Sequence, residues 1–449
     1  MLFALPLAAF AQTADPVPDA PPVDTPAFEN WNLYYQATSI GDYHGTFYAP
    51  YSGPLSLRDT PEYDASLTTT LFFAARLFEQ NTYLVFDPEI AGGKGFSGVD
   101  GLANPPNGEI PRVASPTPTP YIARAFIQHD FGFGGEKEHA ESDENTLAGD
   151  RPMNRYSIVA GRFSMSDYFD GNDYSHDPRT QFMAWGVMYN GAWDYPADTR
   201  GYTWGIVQEV HTRNWSFRYG IAAMPKVANG SQLDRRLFRD HGQVIEAERR
   251  YSIRKRSGAI RVMPYWNRAD MGNYAEALKL GEESGTTPSV IATRRVGTLK
   301  YGIGINVQQA ITSDIGFFTR LGWNDGKTES FAFTAIDRLA GGGAQVKGTR
   351  WHRKNDVVAT SFTAGGISGV HAEYLAHGGL DFLIGDGTLS YDPEMVWESY
   401  YSARLIPGFY GSFDVQRDYN PAYNHDRGPV TIYSVRLHIE LGFKPWQAR

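Results

Sequence analysis

Residues 299–308 read Leu-Lys-Tyr-Gly-Ile-Gly-Ile-Asn-Val-Gln, a strict alternation of apolar side chains with small or polar ones. In an extended strand, successive side chains point to opposite faces, so this stretch predicts a β-strand with one apolar and one polar face. The same two-residue period recurs at residues 215–221, 395–405 and 433–441. The recurrence predicts an all-β protein.

The composition of the chain agrees with an all-β fold and excludes several functions. Among 449 residues, 47 are glycine and 14% are aromatic, which favours strands joined by turns. Cysteine is absent, so no disulfide framework, thiolate metal site or cysteine nucleophile is available. Because 41 basic residues face 50 acidic ones, the net charge of -9 argues against a nucleic-acid partner.

Sixteen segments carry a strand pattern, and the connections between them alternate between long and short. One connection, 132–153, should be short in this scheme and is long, whereas 364–366 is predicted to be a tight turn and 324–354 a long loop. The predicted strands cover residues 28–38, 66–78, 81–87, 121–131, 154–163, 201–210, 214–223, 243–253, 258–266, 295–309, 314–323, 355–363, 367–377, 394–405, 408–417 and 431–441.

An even number of strands of about ten residues, with long loops at one end and short turns at the other, is typical of bacterial outer-membrane proteins. The sequence therefore predicts a 16-stranded antiparallel transmembrane β-barrel with long extracellular loops and short periplasmic turns. The strands of a soluble β-sandwich or β-propeller also alternate apolar and polar residues, but the interior of such a fold would not hold so many charged side chains. Aromatic residues near strand ends further favour girdles at the two membrane interfaces, at Trp31, Tyr34, Trp204, Trp215, Trp266 and Trp323.

The two ends of the chain are predicted to lie outside the barrel, which takes residues 28–443. Residues 1–11 end in Ala-Phe-Ala and fit the remainder of a signal peptide, with a disordered apolar tail as the alternative. Residues 12–27 are rich in proline and are expected to form a flexible periplasmic leader. Residues 444–449 form a C-terminal extension after Phe443.

Enzymatic motifs find no support in the sequence. Residues 93–98 match G-x-G-x-x-G, but a Pro- and Asn-rich stretch follows where a helix should begin, and residues 322–328 are one residue short of a P-loop. His371 and Glu373 share one face of a predicted strand, which is weak evidence for a general base. The acidic residues within 167–177 lack the spacing of an EF-hand. No catalytic residue, cofactor or metal site is predicted.

If the apolar face of each strand meets lipid, the opposite face lines the lumen. We expect the pore to be narrowed by charged residues of both signs with lumen parity or in an inward loop: Arg76, Arg124, Asp170, Arg218, Arg261, Arg320, Glu373, Glu398, Arg404 and Arg436. Aromatic rings with the same parity are candidates to stack on a sugar: Phe72, Phe126, Tyr265, Phe318, Tyr400 and Tyr410. The alternative is that many of these residues brace the barrel wall.

Several stretches carry a family resemblance. Residues 420–430, Asn-Pro-Ala-Tyr-Asn-His-Asp-Arg-Gly-Pro-Val, precede a last strand with Arg-Leu-His at 436–438, and Phe-Asp-Gly-Asn and Trp-Asn-Asp-Gly occur at 169–172 and 323–326. Over about residues 28–441 the chain resembles the OprB-type carbohydrate-selective porins. The resemblance implies a trimeric or monomeric channel that admits glucose and related sugars by passive diffusion, with one loop folded inward. We expect residues 164–200 to be that loop.

The sequence thus predicts a carbohydrate substrate, contact with outer-membrane lipid and lipopolysaccharide, and a possible homotrimer, without nucleic acid. Because the lumen is expected to hold many arginines, a general or organic-anion pore is the first alternative function. A soluble carbohydrate-binding protein remains the second alternative. An outer-membrane hydrolase would need a convergent Ser/His/Asp set, which the sequence does not offer.

Overall fold

The computed structural model describes residues 28–78, 81–110, 116–333 and 335–443. The predicted signal peptide (1–11), leader (12–27) and C-terminal extension (444–449) lie outside these ranges. Within them, sixteen antiparallel strands form one closed barrel, in which each strand pairs with its neighbour along the chain and the last pairs with the first.

The barrel strands are β1 (Trp31–His44), β2 (Glu62–Arg76), β3 (Thr82–Lys94), β4 (Thr119–Gly132), β7 (Arg155–Phe163), β8 (Thr203–His211), β9 (Trp215–Ala223), β10 (His241–Ile253), β11 (Arg256–Met271), β12 (Arg295–Ala310), β13 (Ile315–Asn324), β14 (Arg338–Gly348), β15 (Arg353–Gly366), β16 (Glu394–Ile406), β17 (Phe409–Tyr419) and β18 (Val430–Phe443). A separate hairpin joins β5 (Lys137–Ala140) to β6 (Gly149–Pro152). The helices are α1 (Trp185–Met188), α2 (Tyr274–Ser284) and α3 (Gly369–Ala376).

The two faces of the strands separate as the alternation predicts. On β12, Leu299 and Tyr301 are each 43% exposed on the outside, whereas Lys300 between them is 1% exposed. A large apolar outer surface is stable only where it meets lipid or another apolar surface. Exposed aromatic residues follow the outer wall near both ends, at Trp31, Phe131, Trp204, Trp215, Trp323 and Trp397. Tyr34 was wrongly assigned to this set, because its hydroxyl is bonded to Ser142 inside the barrel.

Two elements differ from the sequence prediction. Residues 367–377 were predicted as a strand, but they contain α3, whose first turn is capped by the Ser368 side chain accepting from the His371 amide. Strand β14 lies within residues 324–354, which were predicted to be a long loop. It was missed because its Gly341-Gly342-Gly343 run has no alternation of apolar and polar side chains. The tight turn predicted at 364–366 is the end of β15. The predicted number of barrel strands, sixteen, is still correct because one wrongly predicted strand offsets one missed strand.

The long loops pack on one another at one end of the barrel. Helices α2 and α3 meet there, and an apolar cluster joins Tyr274, Tyr374 and Ile384 to Ile336. In the described part of the chain, no helix is long and apolar enough to cross a membrane. Because α2, α3 and the apolar cluster pack together, the loop end forms a folded cap on the barrel.

The connection between β7 and β8 lies inside the barrel, as expected for residues 164–200. It begins with a turn over Met165–Asp167, in which the Ser164 hydroxyl and the Asp167 carboxylate cap each other's backbone amides. Residues 182–199 are all buried. This inward loop carries its own aromatic cluster, in which Trp185 and Trp193 pack around Tyr195.

A second connection enters the barrel from the short-turn end. The segment between β4 and β7, the exception in the sequence scheme, carries the β5–β6 hairpin. Its tip lies against β1, where the Asn32 amide donates to the Thr146 carbonyl at 2.7 Å and Gln36 donates to Glu144 at 2.9 Å. Asn145 reaches Asp87 on β3 at 2.8 Å. This inserted connection narrows the lumen opposite the long-loop end.

Candidate functional site in the lumen

Two of the predicted pore arginines hold the inward loop against the wall. Arg320 on β13 donates to the carbonyls of Val187 and Ser175 at 2.8 and 2.6 Å. Arg436 on β18 donates to the carbonyls of Pro178 and Gln181, both at 2.7 Å. Arg320 and Arg436 are each 1% exposed. They are buried anchors and do not face an open pore.

The acidic candidates Glu398 and Asp170 complete this anchoring. Glu398 on β16 accepts the backbone amides of Met183 and Ala184 at 2.5 and 3.1 Å. Asp170 in the loop is paired with Arg320 at 2.9 Å and is 1% exposed. A buried backbone amide without a partner costs about 1–3 kcal/mol, so these contacts fix the path of the loop.

Arg218 and Arg261 belong to a ladder of charges on β8 to β11. Arg218 lies within 2.6 Å of Glu246 and 3.0 Å of both Glu209 and Glu248. Arg261 also binds Glu248, at 2.9 Å. Because three carboxylates surround Arg218, its charge is compensated and its side chain is held in place.

The other charged candidates lie apart from one another. Arg76 donates to the carbonyls of Glu29 and Ala148, so it braces the inserted connection at the short-turn end. Arg404 is half-buried and is cross-strand partner of Tyr410 near the same end. Glu373 lies on the exposed side of α3, so its predicted position on a lumen-facing strand was wrong.

The aromatic candidates face inward, but most are covered by the inward loop. Phe318 and Tyr400 pack on the loop residue Phe182 with ring centres 5.5 and 5.0 Å apart. Tyr265 donates to the carbonyl of Ala192. Phe72, Phe126, Tyr265, Phe318 and Tyr400 are all buried, whereas Tyr410 is half-buried.

A different group of side chains inside the barrel stays partly accessible, apart from the buried Tyr202. We name Tyr121, Arg124, Arg200 and Tyr202 the arginine–tyrosine cluster. Arg124 lies 5.5 Å from the Tyr202 ring centre, Arg200 lies 4.2 Å over the Tyr121 ring, and the two rings are 6.0 Å apart. The Arg124 side chain is 16% exposed, in contrast to the buried anchors Arg320 and Arg436.

Carboxylates accompany the cluster and balance its charge. Asp167 accepts from the Arg124 Nε and Nη2 atoms at 2.8 and 2.6 Å, and Asp87 lies 3.5 Å from Nη1. The Tyr121 hydroxyl donates to Glu89. A two-point contact between arginine and a carboxylate fixes the planes of both groups. The cluster therefore offers hydrogen-bond donors and acceptors in fixed positions.

The inward loop is joined to this cluster through Arg179. Its Nη2 lies 2.9 Å from Glu89, and its Nε lies 3.3 Å from Glu109. Burial alone would lower the pKa of Arg179, but Glu109 and Glu89 raise this pKa well above its ordinary value. The guanidinium stays charged and locks the loop beside Tyr121.

Sequence reasoning found Arg124 but missed Tyr121, Arg200 and Tyr202. On a regular strand, Tyr121 and Arg124 would face opposite sides, yet the register of β3 and β4 shifts between Asp87 and Pro88. Proline has no amide to donate and is found at such bulges, which change the direction of the side chains. Pro88 was the available signal. Arg200 lies in the inward loop, where no period assigns a face.

A small cavity lies on the short-turn side of the cluster. It has a volume of about 90 Å³ and is lined by Tyr83, Phe126, Gln128 and Asn145 among others. Tyr168 of the inward loop lies nearby, with its ring centre 6.4 Å from that of Phe126. Polar and aromatic groups thus continue along this side of the lumen.

Comparison with known proteins agrees with this geometry. The family described as carbohydrate-selective porin, OprB family, matches residues 66–441. The chain belongs to the OprB family of carbohydrate-selective porins. It is thus an outer-membrane channel for carbohydrates, and family and fold place it among channels rather than enzymes. Among curated protein sequences, none matches this chain.

Three solved structures are similar to this chain. The high-pH structure of Pseudomonas putida OprB matches with a TM-score of 0.67 at 13% identity, over 92% of this chain and 94% of that chain. The low-pH structure of the same protein matches with a TM-score of 0.47 at 10% identity, over 92% of each chain. The structure of Pseudomonas aeruginosa OccK11 matches with a TM-score of 0.43 at 8% identity, over 93% of this chain and 97% of that chain. The first of these establishes the shared barrel fold.

Proposed function

We propose that this porin passes glucose and related mono- or oligosaccharides by passive diffusion, and that the sugar contacts the arginine–tyrosine cluster on its way. The observation that carries the proposal is the pairing of Arg124 with Asp167 and Asp87. Because the charges offset one another, the site presents donors and acceptors with little net field. Neutral sugar hydroxyls donate and accept in the same way and can replace lost water contacts there.

Aromatic side chains support the same proposal. Tyr121 and Tyr168 are both half-buried, so part of each ring remains accessible. An aromatic ring offers a flat apolar face with a polar edge, which suits the C–H face of a sugar. The predicted stacking role thus moves from the covered rings, such as Tyr400, to these two.

An organic-anion pore is the second candidate, and Arg200 favours it. Within the described ranges, Arg200 forms no ion pair with a carboxylate and stacks on Tyr121 instead. A local excess of positive charge would draw anions. The proposed homotrimer does not bear on this choice and stays a prediction.

The test compares two lumen variants with wild type in planar bilayers. We expect Arg124→Gln and Tyr121→Leu to raise the glucose concentration for half-block by about tenfold, the equivalent of about 1.4 kcal/mol. Channel formation should persist, because Arg320 and Arg436 still anchor the inward loop when Arg124→Gln removes the contact with Asp167. The measurement is single-channel current during titration with glucose and then with a short oligosaccharide.

The matched control is Lys279→Gln, on the exposed surface of α2 and paired with Glu283. It should leave sugar block unchanged. If glucose blocks the current through Arg124→Gln and Tyr121→Leu at the same concentration as in wild type, the cluster is not on the sugar path. If Arg200→Gln changes anion preference while none of the variants alters sugar block, the organic-anion candidate replaces the sugar proposal.

A further inference from the structure

The connection between β4 and β7 enters the lumen from the short-turn end and reaches nearly half-way along the barrel strands. Its tip, residues 141–148, joins the two strands of the β5–β6 hairpin, where Ala140 and Gly149 lie opposite each other. Within this tip, Glu144 accepts from Gln36. Gln36 lies five residues beyond the start of β1, or about 17 Å along a strand that rises about 3.3 Å per residue. We name residues 141–148 the exit tip.

Hydrogen bonds to the lumen side of the wall hold the exit tip in place. The Tyr34 hydroxyl lies 2.8 Å from the Ser142 hydroxyl, and the Arg76 guanidinium donates to the Ala148 carbonyl at 3.0 Å. The Ala148 amide donates to the Glu29 carboxylate at 3.0 Å. Together with the contacts to β1 and β3 described above, these bonds fix the exit tip at its middle and at its end.

The exit tip also borders the cavity of about 90 Å³ beside the arginine–tyrosine cluster. Asn145 and Leu147 line this cavity together with Phe126 of β4. Leu147 is 5% exposed and belongs to the same apolar cluster as Phe126. Asn145 binds Asp87 at 2.8 Å, and Asp87 also faces Arg124 at 3.5 Å. A solute that leaves the cluster towards the short-turn end therefore meets Asn145 and Leu147.

The inward loop approaches the exit tip from the opposite end of the barrel. Burial and the nearby charge of Asp177 in the inward loop raise the pKa of Glu144 to about 8, which places the two connections beside each other. Arg320 and Arg436 anchor the inward loop to the wall. Because both connections are anchored, the passage between them and the wall has fixed sides.

We propose that Asn145 and Leu147 of the exit tip set the upper size limit for sugars on the short-turn side of the pore. The inference rests on the proposed passage of sugar past the arginine–tyrosine cluster and adds a second constriction after it. Leu147 excludes large solutes by its volume, because a closely packed side chain cannot move aside without cost. Asn145 is held at the edge of the cavity by its bond to Asp87.

The test replaces residues 141–148 of the full-length barrel by the dipeptide Asn-Gly. Because Ala140 and Gly149 are paired, a two-residue turn closes the β5–β6 hairpin and leaves the barrel strands unchanged. The measurement is the swelling rate of vesicles that carry the barrel, in glucose, in a disaccharide and in a trisaccharide. Wild type should admit the trisaccharide far more slowly than glucose. The replacement should raise the ratio of the trisaccharide rate to the glucose rate several-fold.

Two single variants, Asn145→Ala and Leu147→Ala, remove part of the constriction and should raise this ratio by less. The matched control is Leu280→Ala, at a 47% exposed position on α2, which should leave the ratio unchanged. Heat-modifiable mobility on gels verifies that each barrel is folded.

A wild-type ratio in the folded variants of the exit tip would show that the tip only braces the wall, and would overturn the proposal. The failure of the sugar contact at the cluster gives a different result. In that case the ratio still rises in the exit-tip variants, which supports the size limit, while glucose blocks Arg124→Gln at the same concentration as wild type.

Discussion

Arg124 and Arg436 show that two inward arginines can have opposite tasks. Arg436 is buried and donates to the carbonyls of Pro178 and Gln181, whereas part of the Arg124 side chain remains in contact with solvent. Strand parity predicted that both face inward. It could not distinguish them, because the difference depends on where the inward loop lies, and parity carries no information about loops.

Removing the Arg436 anchor should widen the pore. In Arg436→Ala, two loop carbonyls lose their donor, at about 1–3 kcal/mol for each buried group left without a partner. We expect a higher and noisier single-channel conductance with weaker sugar block. Arg404→Ala is the control, since its half-buried side chain lies near the short-turn end. Unchanged conductance in Arg436→Ala would contradict the anchoring role.

Strands with a strong alternation of apolar and polar residues were predicted correctly, whereas elements with a weak or misleading alternation were not. The position of β12 follows from its pattern, and its exposed Tyr301 confirms the outward face. Strand β14 was missed because consecutive glycines have no apolar face to read. Helix α3 was taken for a strand because its apolar residues also fit a period of two over eight residues, and the Ser368 cap was overlooked.

A charge on the outer face of β12 should impair membrane insertion. Tyr301→Arg places a guanidinium against lipid, at a cost of about 2–4 kcal/mol near the midplane and less near the interface. We expect a lower yield of heat-resistant folded barrel on refolding into vesicles. Tyr48→Arg, at a 68% exposed loop position, is the matched control and should fold normally. Equal yields from both variants would show that the assigned outer face is wrong.

The loop cap should loosen at alkaline pH through His371 on α3. Burial disfavours its charged form, but hydrogen bonds to Asp337 and Asp381, each at 3.2 Å, outweigh this and raise the pKa of His371 to about 9. Since the unfolded value is about 6.5, this contribution is complete below about pH 6.5 and is lost as the pH rises through about 9. Its size is on the order of 3 kcal/mol.

Limited proteolysis by proteinase K between pH 7 and 10 tests this expectation. Wild type should become cleavable within residues 366–394 above about pH 9. His371→Gln should be cleaved there already at pH 7, whereas His425→Gln, at an exposed loop position, should behave like wild type. Protection of wild type up to pH 10 would show that the two carboxylates do not depend on a charged His371.

The closed barrel, its lipid-facing outer surface and the inward loop at 164–200 were predictable from the sequence. Two-residue alternation and the order of long and short connections determine them, together with the resemblance carried by residues 420–430. The contacts across the lumen were not predictable. They depend on one bulge at Pro88 and on two connections that enter the barrel from opposite ends.

We propose that the lumen selects neutral sugars because the charge of Arg124, the accessible arginine on the barrel wall, is offset by Asp167 and Asp87. The most direct measurement is the uptake of glucose and of gluconate by vesicles carrying the wild-type barrel, at equal concentrations and matched ionic strength. Glucose and gluconate have the same carbon skeleton and differ mainly in charge. We expect faster uptake of glucose, saturable and competed by related sugars. Faster uptake of gluconate, or glucose uptake that does not saturate, would contradict it.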